Sequence, residues 1–404
     1  MRPKICLPIV ASNRTETLLQ ARKMSELPVE LVEWRVDFFE GEQEEIIPLA
    51  EEVNEAIGEN ELIVTLRTEY EGGEKNGSRF DYWGVLHDLL RRDFAAYVDV
   101  EISRDEQKLM ELRDAFSDVE TKVIGSYHDF NDTPSEDRII ELLERARELG
   151  CDVGKLACMP KNSEDVDILL SATAKMKEKQ PDFPLITMAM GELGEKSRLY
   201  GGLYGSEVSF GCAGTASAPG QIPYNRMKEV FDKIYAGKKH IFLIGFMGVG
   251  KSSISRELAY LSRKPEIDTD EWIEKNEGQS IPEIFESRGE AYFRDAESAM
   301  LDELGAGPAS IVSCGGGMAL RELNIRKMQA LGEVVLLTAL PETIFERVKN
   351  STNRPLLQGH MNVEYIRELM EKRRPYYERA ATVQIVTDKR MLSDIAKEIL
   401  EKSH

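Results

Sequence analysis

The chain has 404 residues, of which 42% are apolar and 31% charged, with a formal net charge of −20. Its length asks for two or three domains, and its composition is that of an ordinary soluble protein. The acidic balance argues against nucleic acid or an anionic membrane as a partner, while a few local arginines can still hold a small anionic substrate. The five cysteines, Cys6, Cys151, Cys158, Cys212 and Cys314, are odd in number and form no C-x-x-C pair. They read as reduced thiols without a metal framework, in a cytoplasmic protein. The N-terminus MRPKICLPIV carries no secretory signal, and the longest apolar runs fall short of a membrane span.

In chain order, short apolar strands are predicted at 4–10, 29–37, 61–67, 96–102, 121–129, 152–159, 184–190 and 207–213. Helical stretches lie between them. EDRIIELLERARELG repeats its apolar residues at three- and four-residue steps and stops at Gly150. Eight such units imply parallel pairing and a closed (β/α)8 TIM barrel, with an open doubly wound sheet as the alternative. The last helix of this part is expected at 225–235, which sets the domains at 1–236 and 237–404.

Polar residues interrupt the barrel strands near their C-terminal ends, where barrel enzymes place their sites. They are Glu33, Arg35, Arg67, His128, Lys155, Arg198, Ser217 and Gln221. A lysine inside an apolar strand is costly to bury unless paired. Desolvation and nearby arginines make its neutral amine available to attack a carbonyl; a lysine merely paired with an acid is the plainer reading. His128, able to titrate near neutral pH, is the natural acid–base beside it, and Glu71 could orient its ring. Alone, His128 reads more often as a satisfied structural histidine, and EYEGGE equally as a polar loop.

The stretches EWRVD, RTEYEGG, SYHDF, KLACMP, SRLYG and ASAPGQ resemble type I 3-dehydroquinate dehydratase over nearly all of 1–235. The resemblance implies that Lys155 forms an imine with 3-dehydroquinate, and that His128, oriented by Glu71, removes the proton and helps water leave. Arg198 would bind the carboxylate, and Glu33, Arg35, Arg67, Ser217 and Gln221 the ring substituents. No metal or organic cofactor is implied for the barrel.

A strand, IFLIGF, then enters the loop GFMGVGKS, which fits G-x-x-x-x-G-K-[ST] from Gly245 to Ser252. Its backbone N–H groups would cradle phosphate through Gly245, Gly248, Val249, Gly250 and Ser253; Lys251 would reach the β/γ-phosphates and Ser252 would ligate Mg²⁺. Asp268 and Asp270, in EIDTDEW, are expected to alternate on a strand end and point into one site. Downstream come Arg294, the run Gly315, Gly316 and Gly317, Arg354 in a stretch (350–362) suited to a mobile lid, and Arg373 before Pro375.

The order of these pieces resembles shikimate kinase over 239–404, with Tyr376 standing where that family usually has leucine. The resemblance implies a P-loop NTPase-type α/β/α domain in which Asp270, Arg294, Arg373 and Gly315–Gly317 hold shikimate. Lys251, Ser252, Asp268 and Arg354 would serve ATP, Mg²⁺ and the transition state, and Arg347 would stack on adenine.

Together these resemblances make a bifunctional shikimate-pathway enzyme. The two steps are not consecutive, since a reduction lies between them, so a separate shikimate dehydrogenase is a conceivable partner. A homodimer through the barrel is also consistent with the family. The rival readings are a Schiff-base aldolase beside a kinase for another alcohol, a metabolite-binding regulator built from enzyme-like domains, and a fusion with one inactive domain.

Overall fold

The structure is a computed structural model and describes residues 1–214, 220–349 and 362–403. The chain divides into two compact units, Met1–Glu229 and Val230–His404. The division falls inside the helix Tyr224–Ile234, a few residues before the boundary expected from sequence.

The first unit contains eight barrel strands: β1 (Lys4–Ile9), β2 (Leu31–Arg35), β3 (Glu61–Thr65), β4 (Tyr97–Glu101), β5 (Lys122–Asp129), β6 (Val153–Cys158), β7 (Leu185–Ala189) and β8 (Val208–Cys212). Each pairs in parallel with its sequence neighbour from β1 to β7, and β1 also pairs with β8. A short β9 (Ile222–Pro223), not anticipated from sequence, lies along β8. The ring closes at a single bridge, Leu185 to Ser206, where Glu207 N donates to Leu185 O at 2.7 Å. That bridge decides for the barrel over the open sheet. Inward-facing Cys6, Leu31, Ile63, Ile124, Ile186 and Phe210 form one core.

Strand and helix signals mostly act where they were read. In the helix Glu136–Glu148, Ile139, Leu142, Leu143 and Ala146 are buried, and the Ser135 side chain caps the N-terminus. Gly150 follows at φ 80°, a left-handed conformation that costs glycine nothing. The second strand is shorter than expected, because the chain turns into a 3-10 segment at Val36–Phe38.

The second unit is a five-stranded parallel sheet: β10 (His240–Ile244), β11 (Glu266–Asp268), β12 (Ile311–Ser313), β13 (Gly332–Thr338) and β14 (Val383–Val386), in the order β11-β12-β10-β13-β14. Central β10 is buried throughout. Its side chains alternate between two cores, Ile241 and Leu243 on one side and Phe242 and Ile244 on the other. Helices therefore cover both faces, and ligands belong at the carboxyl ends of the strands, where the connections diverge around β10.

Candidate active sites

Lys155 lies in mid-β6 and is 4% exposed. Its Nζ is 2.8 Å from Asp99 Oδ2 and 3.5 Å from Glu33 Oε1, so the amine sits between two carboxylates and not simply among arginines. Glu33 is fixed in turn by the Thr65 hydroxyl, which donates to Oε1 at 2.9 Å. Asp99 also accepts from Arg67 Nη2 at 2.7 Å and from Ser126 Oγ at 2.6 Å. Burial would push the Asp99 carboxyl up, but Arg67 and Lys155 outweigh it and hold the group well below the usual carboxylate range.

His128, near the end of β5, places Nδ1 2.9 Å from Glu71 Oε2. Burial pushes the Glu71 carboxyl up to about 7 against the pull of Arg67. Burial also holds His128 well below the ordinary histidine value, helped by the Arg67 and Lys155 cations. This corrects the expectation of titration near neutrality. The shift favours the uncharged imidazole, and an ionised Glu71 on Nδ1 favours the tautomer that leaves Nε2 unprotonated. Glu71 is itself held by the Ser103 hydroxyl on Oε1.

Glu33, Arg35, Arg67, Glu71, His128, Lys155, Arg198 and Gln221 all line one open cavity, with Phe130, Met188, Met190 and Phe210 as its apolar walls. Arg35 is clamped by two 2.8 Å bonds to the fully buried Asp37. Arg198 is a buried part of the cavity wall, donates to Phe210 O at 3.2 Å, and is pushed down to about 10 by burial. Ser217, also expected here, lies outside the described residues.

In the second unit, β10 leads into a loop with Gly245, Gly248 and Gly250 at φ 140°, 77° and 108°. A Cβ at Gly245 would meet Leu337 O at 2.4 Å, and one at Gly248 would meet Val348 Cγ1 at 2.5 Å. Only glycine fits so tight a loop, and the helix Lys251–Ser262 starts directly behind it. Lys251 Nζ donates to Gly245 O at 2.8 Å. Val249 is buried, while Ser252 and Ser253 lie in the first helical turn and remain accessible. Arg347 Nη1 donates to Val249 O at 2.9 Å and Gly248 O at 3.3 Å, so it braces the loop.

Asp268 and Asp270 do not alternate on a strand. Asp268 ends β11 and caps the helix Thr269–Glu277, accepting from Asp270 N and Glu271 N, and Asp270 sits in the first turn of that helix. The helix has begun because the Asp268 side chain satisfies the first free backbone donors. Burial, then the neighbouring Asp268 charge, raises the Asp270 carboxyl.

The glycine run lies against the expected acid and both expected arginines. A Cβ on Gly315 would fall 2.4 Å from Asp270 Oδ1, one on Gly316 3.5 Å from Arg373 Nη1, and one on Gly317 2.2 Å from Arg294 Nη1. Tyr377 donates to Gly316 O at 2.7 Å, whereas neighbouring Tyr376 is largely exposed. Arg354 and the stretch 350–361 lie outside the described residues.

Residues 5–238 match the family model of type I 3-dehydroquinase, and residues 247–404 that of shikimate kinase. The chain belongs to the type I 3-dehydroquinase family and carries a shikimate kinase domain behind it. A 3-dehydroquinate dehydratase of Clostridioides difficile strain 630 is 38% identical over 237 residues, 58% of this chain and 92% of that protein. One of Klebsiella pneumoniae (MGH 78578) is 38% identical over 230 residues, 56% of this chain and 92% of its own. A solved structure of the type I enzyme from Clostridium difficile with covalent modified comenic acid has a TM-score of 0.54 at 38% identity, covering 57% of this chain and 91% of that one. The shikimate kinase of Acinetobacter baumannii, solved in complex with shikimate, is 35% identical over 42% of this chain and 95% of its own, with a TM-score of 0.39. The chain is thus a bifunctional shikimate-pathway enzyme, a lyase joined to a phosphotransferase.

Several residues of the two candidate sites went unread in the sequence. Asp99 and Glu101 alternate within YVDVE, and both are buried. Glu101 accepts from Thr68 N at 2.7 Å and from the Thr68 hydroxyl at 2.6 Å. Two acids at every second position of an apolar strand were the available signal. Glu297, three residues after Arg294, is buried and accepts from Arg294 Nη1 at 2.8 Å. Burial pushes its carboxyl up to about 7. Its helical spacing from Arg294 was legible; its burial was not.

Proposed function

We propose that Lys155 is the imine-forming nucleophile of the dehydratase and His128 its acid–base. The observation that carries this reading is a buried lysine amine opening on the same cavity as an imidazole whose Nδ1 is engaged by Glu71. The amine of Lys155 adds to the ketone of 3-dehydroquinate, and the carbonyl oxygen departs as water. The unprotonated Nε2 of His128 takes the proton beside the imine carbon, and the electron pair moves onto the imine nitrogen. The imidazolium then returns that proton to the departing hydroxyl, and hydrolysis of the product imine restores the amine. The C. difficile relative with covalent modified comenic acid supports a covalent chemistry in this family. Arg198 and Arg35 supply the positive charge for the carboxylate and ring hydroxyls.

In the kinase domain, Arg294 and Arg373 select an acceptor bearing a carboxylate, and Asp270 orients the hydroxyl to be phosphorylated. ATP is the donor implied by the family, and the narrow glycine loop with the helix N-terminus behind it fits its phosphates. Ser252 and Asp268 would hold Mg²⁺, and the ion, when bound, would supply charge neutralisation on the phosphates. Arg347 and Arg354 are assigned to adenine and to the transferring phosphoryl group.

Incubation with 3-dehydroquinate and borohydride, followed by peptide mapping, tests the imine. An adduct on Lys155 is expected; its absence while shikimate-dependent ATP consumption persists overturns the assignment.

All five cysteines are free, and among the described residues no helix is long and apolar enough to cross a membrane. Free thiols are what a reducing compartment keeps, and the cytoplasm is the proposed location. Dimerisation through the barrel and contact with a separate shikimate dehydrogenase are part of the same proposal. Sedimentation at rising protein concentration, with and without that reductase, checks both.

A further inference from the structure

We propose that Asp99 is the counter-ion of the Lys155 nitrogen throughout the dehydratase reaction, a positioning residue that fixes Nζ and keeps the imine formed there protonated. The proposal rests on the imine reading above.

Asp99 divides its two oxygens. Oδ1 accepts from Arg67 Nη2 at 2.7 Å and Ser126 Oγ at 2.6 Å, and Oδ2 faces Lys155 Nζ at 2.8 Å. Arg67 follows β3, Asp99 is in β4, Ser126 in β5 and Lys155 in β6. Four successive segments of the barrel therefore locate one nitrogen. The ring of Phe210, from β8, stacks its face 4.8 Å from Nζ, a second surface that favours a cation there.

The chemistry needs such a partner at each stage. In net terms an ammonium and a ketone become an iminium and water: nitrogen gives up one proton to attack as the free amine, two hydrogens in all leave with the carbonyl oxygen, and one hydrogen and the positive charge end on nitrogen. The charge facing Oδ2 is therefore the same before and after condensation. Only the protonated imine draws the electron pair strongly when His128 takes the adjacent proton. A buried cation without a partner would shed its proton, whereas an anion within about 4–6 Å shifts that equilibrium by about 1–3 pH units toward the charged form.

The other titratable groups around the pair divide by sign. Glu33 on β2 adds negative charge at 3.5 Å from Nζ, Arg67 and Glu71 follow β3, and His128 stands on β5. The Cys6 thiol on β1 is held un-ionised by burial. Asp99 does not act as the base. Arg67 and Lys155 hold its carboxyl well below the usual range, so it remains an anion while His128 moves the proton.

The test uses the full-length protein and two reductants on its complex with 3-dehydroquinate. Borohydride reduces imines in either state, and cyanoborohydride only protonated ones. In the wild type, the two yields of Lys155 adduct should run in parallel from about pH 6 to about pH 9. Asp99→Asn should keep the borohydride adduct but lose the cyanoborohydride adduct at a pH lower by about 1–3 units. Superimposable profiles for variant and wild type would overturn the proposal. Should Asp99→Asn not unfold cooperatively, the wild-type curves decide alone, since a selective fall of the cyanoborohydride yield within that range also overturns it. Ser126→Ala removes an anchor but keeps the charge, and should lower kcat while leaving the two yields parallel; yields that diverge in this variant would also overturn the proposal. Absence of any wild-type adduct with either reagent would sink the imine reading instead.

Discussion

A methyl group at position 317 tests whether the glycine run exists to admit an arginine. Gly317 has φ −99° and ψ −12°, which alanine adopts without strain, so the perturbation is confined to space. The new Cβ would stand 2.2 Å from Arg294 Nη1 and 2.6 Å from its Cζ. To reach ordinary contact at 3.4 Å, the guanidinium retreats by about 1.2 Å. The Arg294 head is the flexible end of a side chain, so the fold should survive. The retreat would nonetheless strain its 2.8 Å bond to Glu297 and its 2.9 Å bond to Glu290. Misplacement of a binding group by ~1 Å costs about 100-fold in rate. Gly317→Ala should therefore lower kcat/KM for shikimate about 100-fold, with KM for ATP changed less than about twofold and dehydratase activity intact. The assay couples ADP release at varied shikimate, with dehydration followed in the same preparation. Gly316→Ala is the control, because its Cβ stays 3.5 Å from Arg373. Equal losses in both variants, or an unchanged shikimate kcat/KM in Gly317→Ala, would refute the reasoning.

Three further outcomes are expected. Lys155→Ala should abolish dehydration and leave shikimate phosphorylation untouched, and Lys251→Met the reverse; loss of both activities from either substitution contradicts two separate sites. Because burial and two cations depress His128, its ring should titrate below pH 6.5, the ordinary histidine value, when followed by NMR of the imidazole itself; a midpoint at or above it refutes the neutral ring. His240, at the start of β10, is buried, and burial pushes it down to about 4 from 6.5. The unfolded chain therefore takes up a proton at a higher pH than the folded one, so stability is lost as pH falls from 6.5 toward 4. At 1.36 kcal/mol per unit the loss is at most about 3 kcal/mol. Urea unfolding followed through kinase activity should show that slope in the wild type and a flatter one in His240→Gln.

The residues of both candidate sites stood out because their types are costly anywhere else. A lysine within KLAC, a histidine closing SYHD and glycines at 245, 248 and 250 each break the local pattern, and for the three glycines the positive φ angles give the reason. The alternation of apolar strands with amphipathic helices also determined that the strands pair in parallel. What it left open was closure: one backbone bridge, Leu185 to Ser206, separates a barrel from an open sheet, and no side chain announces it.

Electrostatics belonged to the tertiary structure alone. Sequence placed Lys155 among arginines; folding brought Asp99 from β4, two strands away, to 2.8 Å from its nitrogen. It read His128 as titrating near neutrality; burial with Arg67 and Lys155 moved it lower. It read Asp268 and Asp270 as strand neighbours; the Asp268 cap started a helix between them. Residue identity fixes which charges are present. Their energies depend on distance and on exclusion of water, and both are set by chain segments far apart in sequence.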